Sequence, residues 1–148
     1  MRLNLGSGKR PIDGYVNVDL VQFDHTDVVC DLNAVPWPFD DESIEDIQAW
    51  HIFEHVTSAI DFMLECHRIL QPGGKLTVVS PVYAHVSAFT DPTHRRFCTP
   101  ETWDYWVPGT VYYEPAVYGR ADFAREEVRL DNGQTSIMVI LRKLGEKM

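Results

Sequence analysis

Short apolar runs that end at glycine or aspartate dominate the first third of the chain. Residues 3–5 are followed by Gly6-Ser7-Gly8, and the alternating residues 15–18 are followed by Asp19. A third run, residues 27–31, is rich in β-branched side chains and closes with an acid. Runs of this length between turn residues are typical of strands. We therefore predict three short strands, each ending at a group that a ligand could contact.

The middle of the chain changes from a strand pattern to a helical one. Residues 44–51 predict a fourth strand. Ser58-Ala59-Ile60-Asp61 resembles a capping box, and the apolar positions 59, 60, 63, 66, 69 and 70 form one stripe at helical spacing. Pro72-Gly73-Gly74 predicts the end of this helix, with glycine in a left-handed C-terminal turn. Residues 75–80 then predict a fifth strand.

The last part of the chain predicts an irregular segment and a hairpin. Residues 81–118 are aromatic-rich and irregular, with one helix predicted to begin at Thr99-Pro100-Glu101. Residues 123–130 and 135–142 flank Asp131-Asn132-Gly133, a strong hairpin signal. Residues 137–141 are continuously apolar, which predicts a strand buried between two layers.

Length and composition predict one globular domain over residues 1–148. The chain is 45% hydrophobic and 24% charged, which is ordinary for a globular protein, and it shows no repeats or linkers. No apolar run approaches the roughly 20 residues that span a bilayer, and the start lacks a signal peptide. We therefore expect a cytoplasmic protein without a membrane partner. Three widely spaced cysteines, Cys30, Cys66 and Cys98, predict free buried thiols.

The net charge of −9 argues against a broad nucleic-acid-binding surface. The one dense basic cluster is His94-Arg95-Arg96. A local anion-binding patch therefore stays open as an interpretation.

The ends of the first three predicted strands carry groups suited to a nucleoside. Glycines at Gly6 and Gly8 let the backbone approach a bound molecule, and an acid such as Asp19 can accept hydrogen bonds from a ribose diol. Only ten residues separate Gly8 from Asp19, too few for a helix and a strand. We expect the first helix to be shortened or replaced by a turn at residues 10–14. Asp31 is either a third ligand group or only a cap of its strand.

Several of these motifs resemble those of class I S-adenosylmethionine-dependent methyltransferases, and most closely their small methyltransferase type 11-like members. Residues 3–8 resemble the first motif, Asp19 falls at the ribose-binding acid, and residues 68–74, Arg-Ile-Leu-Gln-Pro-Gly-Gly, resemble the element that joins helix and fifth strand. The resemblance implies an α/β, Rossmann-like fold, with a mostly parallel sheet and a C-terminal antiparallel hairpin. It implies S-adenosyl-L-methionine as the cofactor, bound by Asn4, Leu5, Gly6, Ser7, Gly8, Asp19, Leu20, Asp31, Leu32 and His51.

His51-Ile52-Phe53-Glu54-His55 spells a zinc signature, but we expect no metal here. That signature needs both histidines on one face of a helix, whereas His51 is predicted to end a strand. At the strand tip His51 would face the methyl donor or the acceptor. It is the candidate catalytic base, because imidazole titrates near neutral pH. The Asn/Asp-Pro-Pro-aromatic motif of many base and glutamine methyltransferases is missing, which disfavours those substrates.

The segment after the fifth strand supplies the candidate acceptor-binding residues. They lie where this fold places substrate-facing loops, and they are Tyr83, His85, His94, Arg95 and Arg96. Their arginines suit an anionic acceptor, because guanidinium binds carboxylate or phosphate in a two-pronged geometry. The alternative is a loop held by its own ion pairs.

The function predicted from the sequence is methyl transfer from S-adenosyl-L-methionine to a small or anionic acceptor. A non-catalytic S-adenosylmethionine-binding subunit of a larger complex is one alternative, and a nicotinamide-dependent oxidoreductase is another. The small size and the lack of a segment ahead of the first strand favour the subunit alternative, and a partner, such as a second copy of the chain in a homo-oligomer, is a candidate to cover the cofactor.

Overall fold

The computed structural model describes residues 1–145 and arranges them around one seven-stranded sheet. In chain order the strands are β1 (Arg2–Leu5), β2 (Val16–Asp19), β3 (Val28–Val29), β4 (Ile44–Trp50), β5 (Leu70–Pro81), β6 (Phe123–Leu130) and β7 (Ser136–Lys143). Their order across the sheet is β3-β2-β1-β4-β5-β7-β6. The first five strands pair in parallel, and β7 is antiparallel to both β5 and β6. This confirms the Rossmann-like sheet with a C-terminal hairpin.

Among the described residues only one helix is longer than four residues, α1 (Ala59–Ile69). Ser58 caps it, since its Oγ accepts from the Asp61 N–H at 3.1 Å. The face that carries Phe62, Met63 and Cys66 is buried. Turns replace a helix between β1 and β2, as the short spacing predicts. None of the helices in residues 1–145 is long and apolar enough to cross a membrane.

The predicted end of α1 is wrong by several residues. The helix ends at Ile69, and its extended C-cap residue Leu70 already pairs with Ile44 as the first residue of β5. The positive φ of 80° belongs to Gly73, inside the irregular start of that strand. Pairing with β4 therefore extends β5 back to Leu70, beyond the predicted residues 75–80.

The helix predicted to begin at Thr99-Pro100-Glu101 is also wrong. Residues 99–102 form a turn, and a short 3₁₀ helix follows at Asp104–Trp106. Trp103 and Trp106 are buried there, and Pro108 comes two residues after Trp106. Burial of these rings and the residue-before-proline restriction at Val107 favour a tight turn over a continued α-helix. Two further helices, α2 (Ser87–Thr90) and α3 (Pro115–Tyr118), have four residues each.

The two faces of the sheet differ in burial. On one face Leu3, Ile47, Leu76 and Leu141 align across four strands, are 0% exposed and join the core cluster that contains Phe62 and Met63. On the other face Trp50 is 49% exposed. The residues of β7 alternate accordingly between buried and half-buried. The prediction that residues 137–141 lie between two layers is therefore wrong.

The hairpin predicted around Asp131-Asn132-Gly133 is confirmed. Its second arm begins at Ser136, one residue later than predicted. Both carboxylate oxygens of Asp131 accept from Thr135, one from its N–H and one from its hydroxyl, each at 2.6 Å. These bonds lower the pKa of Asp131. The side chain thus fixes the turn that brings residues 130–136 to the carboxyl edge of the parallel strands.

Candidate functional site

The order of the strands reverses between β1 and β4, and the two connections leave this point in opposite directions along the sheet. Open α/β sheets bind ligands at such a point, outside the carboxyl ends of the strands. The predicted groups Gly6-Ser7-Gly8, Asp19 and His51 lie at this edge, directly after or at the ends of β1, β2 and β4. The fold therefore brings the three strand-end groups to one place.

The turn after β1 is built from two glycines with positive φ, 64° at Gly6 and 52° at Gly8. A Cβ on Gly6 would stand 2.8 Å from the Ile52 side chain, so that glycine is required by packing. A Cβ on Gly8 would meet only the Gly6 carbonyl oxygen, at 4.0 Å, so this side of the turn is open. Ser7 is 4% exposed, and its Oγ has no hydrogen-bond partner among residues 1–145. Free space beside Gly8 and the unpaired buried hydroxyl of Ser7 suit a polar ligand.

Asn4 and Leu5 support this turn from below. The amide of Asn4 donates to the Arg10 carbonyl at 3.0 Å and to Asn17 Oδ1 at 2.9 Å. Leu5 is 0% exposed and belongs to the core. Both side chains are therefore used by the protein itself, and any contact that these two residues make with a ligand is left to their backbone.

Asp19 is fixed at the tip of β2. Its Oδ2 accepts from the Gly8 N–H at 2.8 Å, and its Oδ1 accepts from the Val21 N–H at 2.9 Å. An ionised carboxylate has about four acceptor positions, so each oxygen can still accept from a ligand hydroxyl. Leu20 follows and is 63% exposed. The fixed carboxylate of Asp19 suits the ribose hydroxyls of a nucleoside, and the exposed apolar side chain of Leu20 suits its base.

Asp31 and Leu32 follow the short strand β3 closely. The Cys30 N–H donates to the Asp19 carbonyl at 2.9 Å, which places this segment beside β2. Asp31 Oδ1 accepts from the Asn33 N–H at 2.9 Å, and Leu32 is 8% exposed. The bond to Asn33 favours the alternative that Asp31 caps its own turn. Leu32 contributes to the core.

His51 adopts a left-handed conformation, with φ of 55°, directly after β4. Its N–H donates to the Val79 carbonyl at 2.7 Å, and its ring is 39% exposed. Left-handed backbone is uncommon for residues other than glycine and is found at functional sites. The ring borders a cleft of about 490 Å³ that the sequence did not predict, lined also by Trp50, Val79, Arg129, Leu130, Asp131, Asn132, Ser136 and Met138.

Glu54 is a further buried group, to which the sequence assigned no role in the site. It is 1% exposed, and its Oε2 accepts from Ser80 Oγ at 3.1 Å. Its Oε1 lies 3.5 Å from His51 Nδ1 and 4.0 Å from His55 Nε2. The sequence signal was the zinc-like spacing itself, because it places an acid beside two histidines. Only the fold shows that the acid points inward.

The predicted acceptor-side residues separate into exposed and held groups. Tyr83 is 51% exposed, and Arg95 is exposed as well. His85 Nδ1 lies 2.7 Å from Ser87 Oγ, and His94 Nδ1 lies 2.8 Å from the Ala88 carbonyl. The Arg95 N–H donates to the Glu54 carbonyl at 2.8 Å, so this segment lies against the connection after β4.

The side chain of Arg96 binds to the protein itself, which agrees with the alternative that this loop is held by its own contacts. Its guanidinium donates to the carbonyl oxygens of Phe53, Val56 and Thr57 and lies over the Phe53 ring. Burial lowers the pKa of this group. The bonds go to carbonyls rather than to the ion pairs that the sequence suggested. Three of its five N–H donors are used in this way, which favours the self-held loop over the predicted role of Arg96 in binding the acceptor.

The three cysteines are buried and free, as the sequence predicts. Burial raises the pKa of Cys98 to about 11 and also raises the pKa of Cys30 and of Cys66. Thiols with raised pKa values are poor nucleophiles at neutral pH.

A family model described as a methyltransferase domain matches residues 13–78. That range runs from the connection after β1 into β5, and it contains Asp19, Asp31, His51 and Glu54. No curated protein matches the chain in sequence.

Solved structures resemble the whole chain in fold. A SAM-dependent methyltransferase from Aquifex aeolicus is 13% identical with a TM-score of 0.63, over 97% of this chain and 81% of that chain. The Burkholderia thailandensis 1,6-didemethyltoxoflavin-N1-methyltransferase, solved with 1,6-didemethyltoxoflavin and S-adenosylhomocysteine, is 14% identical with a TM-score of 0.64, over 97% and 71%. The [4+2]-cyclase SpnF is 14% identical with a TM-score of 0.68, over 98% and 74%. At these identities the likeness establishes the fold alone.

Proposed function

We propose that this chain transfers a methyl group from S-adenosyl-L-methionine to an acceptor bound beside His51. Its fold is that of the class I S-adenosylmethionine-dependent methyltransferases, and residues 13–78 match a methyltransferase domain. The observation that carries this proposal is the convergence of three groups at the switch point of the sheet. The 2.8 Å bond from the Gly8 N–H to Asp19 joins two of them, and His51 follows the neighbouring β4.

The residues around the β1 turn fit the cofactor. The missing side chain at Gly8 leaves room for the ligand, the unpaired Oγ of Ser7 offers a polar contact, and Asp19 can accept from the ribose hydroxyls. Leu20 would cover the adenine. When bound, the cofactor supplies an activated methyl group on a sulfonium, so the protein has mainly to align the reactants and exclude water.

His51 would accept the proton of an oxygen or nitrogen acceptor. Its Nδ1 lies 3.5 Å from Glu54 Oε1, and its 39% exposed ring borders the cleft in which an acceptor would bind. The neighbouring cleft, about 490 Å³, has the volume of a small-molecule site. Arg129 in that cleft and the exposed Arg95 favour an acceptor with negative charge.

A dinucleotide cofactor fits less well. Pyrophosphate groups bind at a helix N-terminus, and turns take the place of a helix between β1 and β2. The fold alone does not decide between chemistries, since a [4+2]-cyclase has a similar fold.

The test is selective stabilisation by a cofactor product. S-adenosylhomocysteine at 100 times its Kd is expected to stabilise the protein by about 2.7 kcal/mol and to raise Tm by several degrees, whereas NAD⁺ is not. Asp19→Ala is expected to weaken binding roughly 10- to 150-fold, the equivalent of about 1.5–3 kcal/mol. Asp24→Ala, an exposed acid on the next connection, is the matched control.

Calorimetric titration would contradict the proposal if NAD⁺ bound and S-adenosylhomocysteine did not. Tm values without ligand separate lost binding from lost folding in Asp19→Ala, since Asp19 also holds the β1 turn. Binding of S-adenosylhomocysteine without methyl transfer to any of a panel of small anionic acceptors would favour the non-catalytic subunit.

A further inference from the structure

Glu54, His55 and His94 place three metal-ligand atoms within 4.8 Å of one another. Glu54 Oε1 lies 4.0 Å from His55 Nε2, and the rings of His55 and His94 have centroids 4.7 Å apart. The first two residues lie between β4 and α1, and His94 belongs to the segment after α2. We propose that these three side chains bind one divalent transition-metal ion, with Zn²⁺ as the best match.

Hydrogen bonds prepare both histidines to act as ligands. His94 Nδ1 lies 2.8 Å from the Ala88 carbonyl, which can only accept, so Nδ1 carries the proton. His55 Nδ1 lies 2.8 Å from Thr93 Oγ1, and that hydroxyl donates its own proton to Asp91 Oδ1 at 2.7 Å. The Thr93 oxygen therefore accepts from His55. Each ring keeps a free lone pair on Nε2, which is the arrangement that metal sites use to orient histidine ligands.

Glu54 supplies an independent indication of a cation. The carboxylate is 1% exposed, and its Oε1 has no hydrogen-bond partner among the described residues. Its other oxygen is held by Ser80 Oγ at 3.1 Å, which directs the unpaired one towards the histidines. A buried carboxylate oxygen without a partner is costly, and a bound cation removes that cost.

The ligand set favours zinc over harder cations. Two imidazole nitrogens and one carboxylate oxygen suit Zn²⁺, whereas Mg²⁺ and Ca²⁺ prefer oxygen ligands only. Zinc bound tetrahedrally separates its ligand atoms by about 3.3 Å, so the 4.0 Å between Glu54 and His55 has to shorten by less than an ångström. The carboxylates of Glu54 and Asp91 together match the charge of the ion, since Asp91 Oδ2 lies 3.8 Å from His94 Nε2.

This proposal replaces the sequence-based expectation that no metal is bound. The objection to the His-x-x-Glu-His signature was that His51 and His55 do not share a helical face, and His51 indeed follows a strand. The fold supplies the second histidine from His94 instead. Three protein ligands leave a fourth position, and Glu54 also neighbours His51 at 3.5 Å. The ion would therefore join the acceptor-side segment to the connection after β4.

Metal binding does not depend on the proposed methyl transfer, and its test needs no acceptor. Full-length protein freed of metal with a chelator is titrated with Zn²⁺ by calorimetry, and we expect one ion per chain and a raised Tm. Co²⁺ should give the strong visible absorption of tetrahedral coordination without a thiolate-to-metal band, which excludes binding to Cys30, Cys66 or Cys98.

Variants assign the ligands. Glu54→Gln and His94→Ala are each expected to weaken zinc affinity at least 100-fold, and Thr93→Val by 10- to 100-fold through the orientation of His55. His85→Ala, on the same segment but outside the cluster, should leave the affinity unchanged. Circular dichroism of the metal-free variants checks that they fold. Absence of stoichiometric zinc in the wild-type protein, or unchanged affinity in His94→Ala, would overturn the proposal.

Discussion

The neighbouring residues Arg95 and Arg96 have the same chemistry and opposite surroundings. Arg96 reaches back to the connection between β4 and α1 and donates to Phe53, Val56 and Thr57, while the side chain of Arg95 is exposed. Consecutive residues in extended chain point to opposite sides, so one of two adjacent arginines can be buried and the other left in water. A basic cluster in a sequence therefore does not act as one unit.

This difference predicts different effects on stability. Arg96→Ala leaves buried carbonyls unpaired and is expected to lower the free energy of unfolding by roughly 1.5–3 kcal/mol, which lowers Tm by several degrees. Arg95→Ala, the matched control, should change it by about 0.5 kcal/mol or less. Denaturant unfolding of both variants measures the difference. Equal losses in the two variants would contradict the structural role of Arg96.

At the scale of elements, α1 carries the helical part of the structure. Its buried face packs in the core with the sheet, and Ser58 satisfies an N–H group that would otherwise lack a partner at its first turn. The connection that leads into it also carries His51, Glu54 and His55. The start of α1 therefore helps to position the side chains of the candidate site.

Removal of the cap is expected to destabilise this element. Ser58→Ala loses the 3.1 Å bond to the Asp61 N–H and should lower the free energy of unfolding by about 1 kcal/mol, within a range of roughly 0.5–2 kcal/mol. Ser58→Asp keeps an acceptor at the cap and should retain stability close to that of the wild-type protein. Urea unfolding of both variants is the measurement. A loss in the aspartate variant as large as in the alanine variant would argue against capping.

The strands at the centre of the sheet are adapted to a face that is not fully covered. Parallel sheets are usually buried on both faces and read as continuous apolar runs. Here Asp46, Gln48, Lys75 and Thr77 pair across β4 and β5 on the second face. Tyr15 donates to Asp46 at 2.6 Å on the same side, which raises the pKa of this tyrosine. Few helices cover the second face of the sheet, so the residues of β4 and β5 on that face are polar.

At the scale of the whole molecule, His67 couples folding to pH. Burial, followed by the charge of Lys143, lowers the pKa of His67 from 6.5 to about 4, and its ring packs edge-on against Phe123. Between these two pKa values the unfolded chain takes up a proton that the folded protein does not. The unfolded state then binds more protons, so stability falls as the pH is lowered from 6.5 towards 4.

Replacing the imidazole of His67 tests how much this residue contributes to the pH dependence of the free energy of unfolding. The shift corresponds to at most about 3 kcal/mol, and because part of the ring is in contact with water we expect about 1–2 kcal/mol. His67→Gln should remove this part of the pH dependence, while the carboxylates continue to contribute at lower pH. Free energies of unfolding at several pH values check this. Parallel curves for the wild-type protein and the variant would show that His67 is not responsible.

The sequence by itself determined the local elements and the general kind of site. The spacing of apolar residues placed the strands, Ser58 and Asp61 marked the start of α1, and Asp131-Asn132-Gly133 marked the hairpin. The strand-end groups Gly6 to Gly8 and Asp19 were also readable. Each of these features depends on backbone preferences and hydrogen bonds within a few residues, so a short stretch of sequence is enough to predict it.

Only the tertiary structure decided which distant side chains meet. Leu70 joins the sheet because β4 offers it a partner, Arg96 is held by carbonyls of the connection after β4, and Trp50 stays exposed because little covers its face. His94 approaches Glu54 and His55 only when the two loops pack together. Such contacts arise from packing between segments far apart in the chain, and neither periodicity nor local propensity contains that information.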